Sequence, residues 1–101
     1  MEIERHLVTP VALEAFADAN ALVMEVRERT PQQIRAAGHR FYARFKDAEV
    51  KDGGCLRGVY GTGDTEKEAI RNYAFQISET TLVIHANSTS RRLLRTPVLQ
   101  V

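Results

Sequence analysis

Cysteine is almost missing: Cys55 stands alone among 101 residues. One thiol cannot build an internal disulfide framework or a multi-cysteine zinc site. Neither sign of charge is in excess. Fourteen Lys and Arg face 13 Asp and Glu, a net charge of +1, so no whole-molecule field draws the chain to nucleic acid or to a membrane surface. No apolar run approaches the ~20 residues of a membrane-spanning helix. The opening stretch MEIERHLVTP is charged and lacks the apolar core of a secretory signal. A cytoplasmic location is therefore expected, and the sequon at Asn87-Ser88-Thr89 has no use there. Repeats, low-complexity tracts and linker-like stretches are also missing, so residues 1–101 are expected to form a single domain.

What is present is ordinary globular composition, 44% hydrophobic and 27% charged, enough for one modest core without a metal or disulfide staple. Thr9 and Pro10 suit the N-cap and first position of a helix over residues 10–19, with Leu13, Phe16 and Ala17 on one face. Leu22, Met24 and Val26 alternate with Val23, Glu25 and Arg27, the pattern of a strand with one buried face. Thr30-Pro31 ends it, and the residues that follow are expected to loop, with one helical turn at most. HRFYARFKDAEV, residues 39–50, alternates most clearly. His39, Phe41, Ala43 and Phe45 fall on one side; Arg40, Tyr42, Arg44 and Lys46 fall on the other. With a turn at residues 51–54 and CLRGVYG returning, residues 39–61 are expected to form a β-hairpin. Ile70, Tyr73, Ala74 and Ile77 recur at helical spacing. Residues 81–86 suit a strand, and RLLRTPVL a last strand that Pro97 confines to an edge. The order is α-β-β-β-α-β-β. It predicts an α+β fold: a two-layer, mostly antiparallel sheet of four to five strands with two helices on one face.

GVYGTGDTEKEA, residues 58–69, raises the question of a phosphate loop. Gly58 and Gly63 have P-loop spacing, but Asp64-Thr65 stands where that motif needs lysine. Gly61 and Gly63 could begin a dinucleotide fingerprint, but its third glycine is Glu66. Asp64, Glu66 and Glu68 suit a positive helix N-terminus and would repel phosphate. The expected role is structural: Thr65 and Glu68 as a reciprocal capping box, Gly61 and Gly63 as a sharp strand-to-helix turn. No cofactor is expected.

Gly61-x-Gly63-Asp64-Thr65-x-x-Glu68-Ala69-Ile70, followed by Tyr73-Ala74 and IS…TLV, resembles a group of short phage- and prophage-encoded proteins without assigned function. The similarity runs from FADANALVMEVRER through RRLLRTP. More distantly, Gly63 to Ala69 resembles the helix start of HicB-type antitoxins. Gly58-Val59-Tyr60-Gly61 stands where that family carries Pro-Asp-Leu-Pro-Gly-Cys. The resemblance therefore implies a βββαβ core and not toxin neutralisation.

Little points to catalysis. His6, His39 and His85 lack ligand or triad spacing, Cys55 lacks an activating neighbour, and no metal site or catalytic residue is expected. Two surfaces stand out. Arg40, Tyr42, Arg44 and Lys46 form a basic strand face with an aromatic in it, which Arg27, Arg29 and Arg57 could extend. Such faces hold single-stranded RNA by stacking and phosphate contacts, unless arginines pair with Glu25 or Glu49 across strands. Arg92, Leu93, Leu94 and Arg95 form an edge with apolar residues on both faces, a candidate dimer site. The expected function is non-catalytic binding of a macromolecule, protein ahead of nucleic acid, with nucleotide binding at the glycine loop third.

Overall fold

The computed structural model describes residues 9–101; the expectations for the opening stretch, His6 included, lie outside the described residues. The chain runs β1 (Val11–Ala12), α1 (Leu13–Ala19), β2 (Met24–Glu28), α2 (Pro31–Ala37), β3 (Phe41–Phe45), β4 (Ala48–Asp52), β5 (Cys55–Arg57), β6 (Gly61–Gly63), α3 (Glu66–Ile77), β7 (Thr81–Ile84), β8 (Arg92–Arg95) and β9 (Leu99–Gln100). This is the α+β class expected. The strands form two antiparallel sheets, ordered β2-β3-β6 and β5-β4-β7-β8, with β1 and β9 as a short parallel pair.

Both sheets and two helices share one core. Phe41, Ala43 and Phe45 of β3 lie opposite Gly63, Gly61 and Met24 and turn inward toward α3. Ala69, Tyr73, Ala74 and Ile77 of α3 are buried against them, joined by Leu82 and Ile84 of β7 and by Leu13, Phe16 and Ala17 of α1. Each large apolar side chain so buried favours folding by roughly 1.5–3 kcal/mol relative to exposure.

The expected hairpin over residues 39–61 is present but folded at a corner. β3 belongs to one sheet and β4 to the other. Between them Asp47 takes a positive φ of 56°, a conformation a short polar side chain tolerates. That residue slips the alternation by one place, so Ala48 rather than residue 47 is buried. The corner is held by Lys46 N–H donating to Val23 O at 2.8 Å and His85 N–H donating to Asp47 O at 3.0 Å.

The glycines need correction. Gly61 and Gly63 lie within β6, not in a turn, and neither has a positive φ. Their role is close approach. A Cβ on Gly61 would sit 2.1 Å from the Ala69 carbonyl oxygen and 2.2 Å from Tyr73 N. The α3 backbone therefore rests directly on β6.

Two helix starts and one cap also differ from expectation. α1 begins at Leu13, and Thr9 is not its cap. Val11 N–H donates to Val98 O at 2.9 Å, so these residues pair with the C-terminal strand instead of starting a helix. Pro31 opens α2, seven residues long, where a loop was expected. Thr30 Oγ1 accepts from Gln33 N–H at 3.2 Å and Gln33 Oε1 accepts from Thr30 N–H at 2.9 Å, a full capping box with proline at the first position. At α3, Thr65 Oγ1 accepts from Glu68 N–H at 3.1 Å, but the Glu68 carboxylate takes the Asp64 N–H at 3.0 Å rather than that of Thr65.

Thr96, 2% exposed, ties the end of α3 to the second sheet. Its Oγ1 donates to Ile77 O and accepts from Thr80 N–H at 2.8 Å. Thr96→Val keeps the shape but removes the bridging hydroxyl. Ile77 O keeps the Thr80 hydroxyl as donor at 2.6 Å, and Thr80 N–H keeps Ile77 O as acceptor at 3.3 Å. Urea denaturation should therefore show a loss of about 0.5–1.5 kcal/mol.

Candidate functional site

Register decides which side chains share the outer face of β2-β3-β6. Glu25 lies opposite Arg44, and Arg27 opposite Tyr42, which in turn faces Thr62 across β6. Residues opposite one another point to the same side. The other side is packed on α3, so these side chains stand outward.

The ladder continues beyond β2, where Arg29 N–H donates to Arg40 O at 2.7 Å. α2 is thus an excursion between two paired residues, and Arg29 closes it: its Nη1 donates to His39 O at 3.1 Å. The same guanidinium lies 5.5 Å from the Tyr42 ring centroid and 6.0 Å from that of Tyr60. The two tyrosines meet edge to face, centroids 5.9 Å apart at 64°. Contacts of this kind between a cation and ring faces fix the planar groups relative to one another.

Tyr60 just precedes β6 and is 47% exposed. Its position is set from beneath by α3: Gln76 Nε2 donates to Tyr60 O at 3.0 Å and Asn72 Nδ2 donates to Thr62 O. Gln33, Ala36 and Ala37 of α2 wall the opposite side. Together with Arg29, Tyr42 and Tyr60 they line a cleft of about 350 Å³. Sequence reasoning missed Tyr60, which sits in a segment without strand periodicity. It also missed α2, although T-P-x-Q is a visible capping signature.

Of the seven residues expected on the basic surface, four share this face: Arg27, Arg29, Tyr42 and Arg44. Arg44 leans to the corner, Nε donating to Phe45 O at 3.4 Å and Nη2 to Ala48 O at 3.5 Å. Arg40 turns away over the Phe41 ring and pairs with Glu28 at 2.7 Å. Lys46 lies in the corner turn, and Arg57 lies in the other sheet, paired with Asp52 at 3.0 Å. Among the described residues Glu25, Glu49, Arg27 and Arg29 form no ion pair.

β8 is the edge of the second sheet. Leu94 faces Leu82 and packs on the core, whereas Leu93 faces Val83 and is 55% exposed. Arg92 Nη2 donates to Asn20 O, and Arg95 is exposed. His39 is exposed rather than on an apolar side, 3.7 Å from Asp64, and His85 is exposed 3.5 Å from Asp47. Cys55 is exposed. No group of three or more His, Cys, Asp or Glu could hold a metal among the described residues, and none of their helices is long and apolar enough to cross a membrane. At the glycine segment, the amides of Asp64 and Glu68 already bind side-chain oxygens, which removes donors a phosphate would need. Compared with protein-family models, curated proteins and solved structures, the chain matches none.

Proposed function

We propose that this chain is a non-catalytic binding domain whose outer β2-β3-β6 face holds single-stranded nucleic acid. The observation that carries the reading is the Arg29 guanidinium set over both Tyr42 and Tyr60. Unstacked bases gain about 1–3 kcal/mol each from an aromatic platform, with little sequence preference. Arg27 and Arg44 flank the platform and supply phosphate contacts. The cleft beside α2 admits a planar base between helix and sheet. Duplex bases are stacked and paired, so a duplex cannot use it. With a net charge of +1 there is no whole-molecule field, so the attraction this reading needs comes from this face alone.

Fluorescence anisotropy with short labelled RNA and DNA strands tests the reading. Two phosphate contacts predict a log–log salt slope of about −1.4 for single strands. Tyr42→Ala and Tyr60→Ala should each weaken binding about 5- to 150-fold, the equivalent of one lost stack. Arg57→Ala should change nothing. An absence of binding at low salt, or full binding by a folded Tyr60→Ala variant, sinks the proposal. A protein partner would then be the better use of these exposed Tyr and Arg side chains.

A further inference from the structure

Phe75 is 82% exposed, more than any other large apolar side chain described. At about 100° per residue it lies roughly 160° around α3 from Tyr73, on the far side from the core. It stands at the lip of a groove of about 530 Å³ between α3 and the C-terminal strand. Ala74 and Leu99 form its buried floor, and Val98 and Val101 its other wall. Arg71 precedes Phe75 by four residues and Glu79 follows it by four. Both line the groove, both are exposed, and neither makes an ion pair among the described residues.

We infer that this face self-associates, and that its occupant is a second copy of this chain packed antiparallel about Phe75. The pattern is complementary to its own two-fold image. Glu79 lies two residues beyond the end of α3, with a φ of 58°, and shares the groove with Arg71. With Phe75 at the axis, Arg71 on the helix meets this Glu79 of the second copy, and Glu79 meets its Arg71, the isologous arrangement of a two-fold dimer. Each Phe75 reaches the apolar groove opposite. A parallel arrangement would set arginine on arginine. The β8 edge, where dimerisation was expected, lacks this match: antiparallel self-pairing about Leu93 brings Arg91 against Arg95. Asn72 and Gln76 hold the Tyr60–Thr62 segment from a different side of α3. The association therefore leaves the aromatic cleft open and does not rest on the nucleic-acid reading.

Sedimentation velocity from low micromolar to near-millimolar protein decides it. The wild-type chain should show a reversible monomer–dimer equilibrium. Phe75→Glu should be monomeric throughout, with an unchanged circular dichroism spectrum because the side chain is exposed. Arg71→Glu should weaken association on the order of tenfold, since attractive pairs become repulsive. Arg71→Glu combined with Glu79→Arg should restore it, and Leu93→Glu should leave it intact. A wild-type chain that stays monomeric overturns the inference. So does a dimer that survives Phe75→Glu, one that Leu93→Glu abolishes, or a double variant without recovery.

Discussion

Gly61→Ala is expected to unfold the protein, or to lower its melting temperature by at least about 12 °C, which corresponds to ~3 kcal/mol in a chain of this size. The new methyl carbon would lie 2.1 Å from Ala69 O, 2.2 Å from Tyr73 N and 2.7 Å from Tyr73 Cα. All three are backbone atoms in the middle of α3, so no rotamer change relieves the clash. The helix would have to lift from β6, and that would open the packing of Phe45, Tyr73 and Ile77 together. Gly63→Ala meets Glu68 Cβ at 2.5 Å and Ala69 N at 2.8 Å, at the first turn of the helix, where shifting is easier. It should cost less. Gly58 has nothing within 4 Å and no positive φ, so Gly58→Ala should be neutral or stabilise by up to about 1 kcal/mol through the unfolded chain. Thermal melts of the three variants separate close packing from chain flexibility. Equal, small shifts would show that α3 does not rest on the β6 backbone.

That ordering could not be read from the sequence, and the reason is physical. Local patterns report which face of an element is buried, because side-chain periodicity is set by the element's own geometry. They do not report how near two backbones come. α3 was legible from Ile70, Tyr73, Ala74 and Ile77, and its cap from Thr65. The glycines looked like turn punctuation, because a strand end and a helix approach use the same residue. The corner at Asp47 was not legible: residues 39–50 read as one alternating strand, and only the burial of both Phe45 and Ala48, three apart, reveals the phase slip. α2 was hidden because proline after threonine both stops a strand and starts a helix.

The candidate face shows the same division. Arg27, Tyr42 and Arg44 follow from alternation alone, since β2 and β3 pair in simple register. Arg29 follows only once the ladder is seen to continue to Arg40. Arg40 itself was expected on the face, and its diversion depends on Glu28 lying within reach on the neighbouring strand. Tyr60 lies in the break between β5 and β6, where no period exists, and only the α3 side chains that grip its carbonyl place it beside Tyr42. A site assembled from one regular strand and two irregular segments is visible in the sequence only by its regular part.

Phe45→Ala should cost about 3–5 kcal/mol at neutral pH, the usual range for deleting a buried aromatic ring. Phe45 is 0% exposed, and its ring meets that of Tyr73 edge to face, centroids 5.4 Å apart at 81°. The pair itself accounts for roughly 0.5–1.5 kcal/mol of the loss, which a cycle with Tyr73→Phe cannot remove but a cycle with Tyr73→Leu can. The loss should shrink in alkali. Burial pushes the Tyr73 phenol above its ordinary value of 10.0, with the Phe45 backbone and the Arg44 charge pulling the other way. A group whose folded value is raised contributes stability that is fully present below the unfolded value. That contribution is lost as pH climbs through the folded one. The wild-type chain should therefore lose stability above a pH of about 10. In Phe45→Ala, water admitted beside Tyr73 lessens the desolvation, so this variant has less to lose and the gap to wild type narrows. Tyr73→Phe should remove the part of the alkaline loss that comes from this phenol. Urea denaturation on both sides of that pH measures each difference. A gap that stays constant into alkali would mean that Phe45 does not shield the phenol, and that the two rings touch without sharing one dry core.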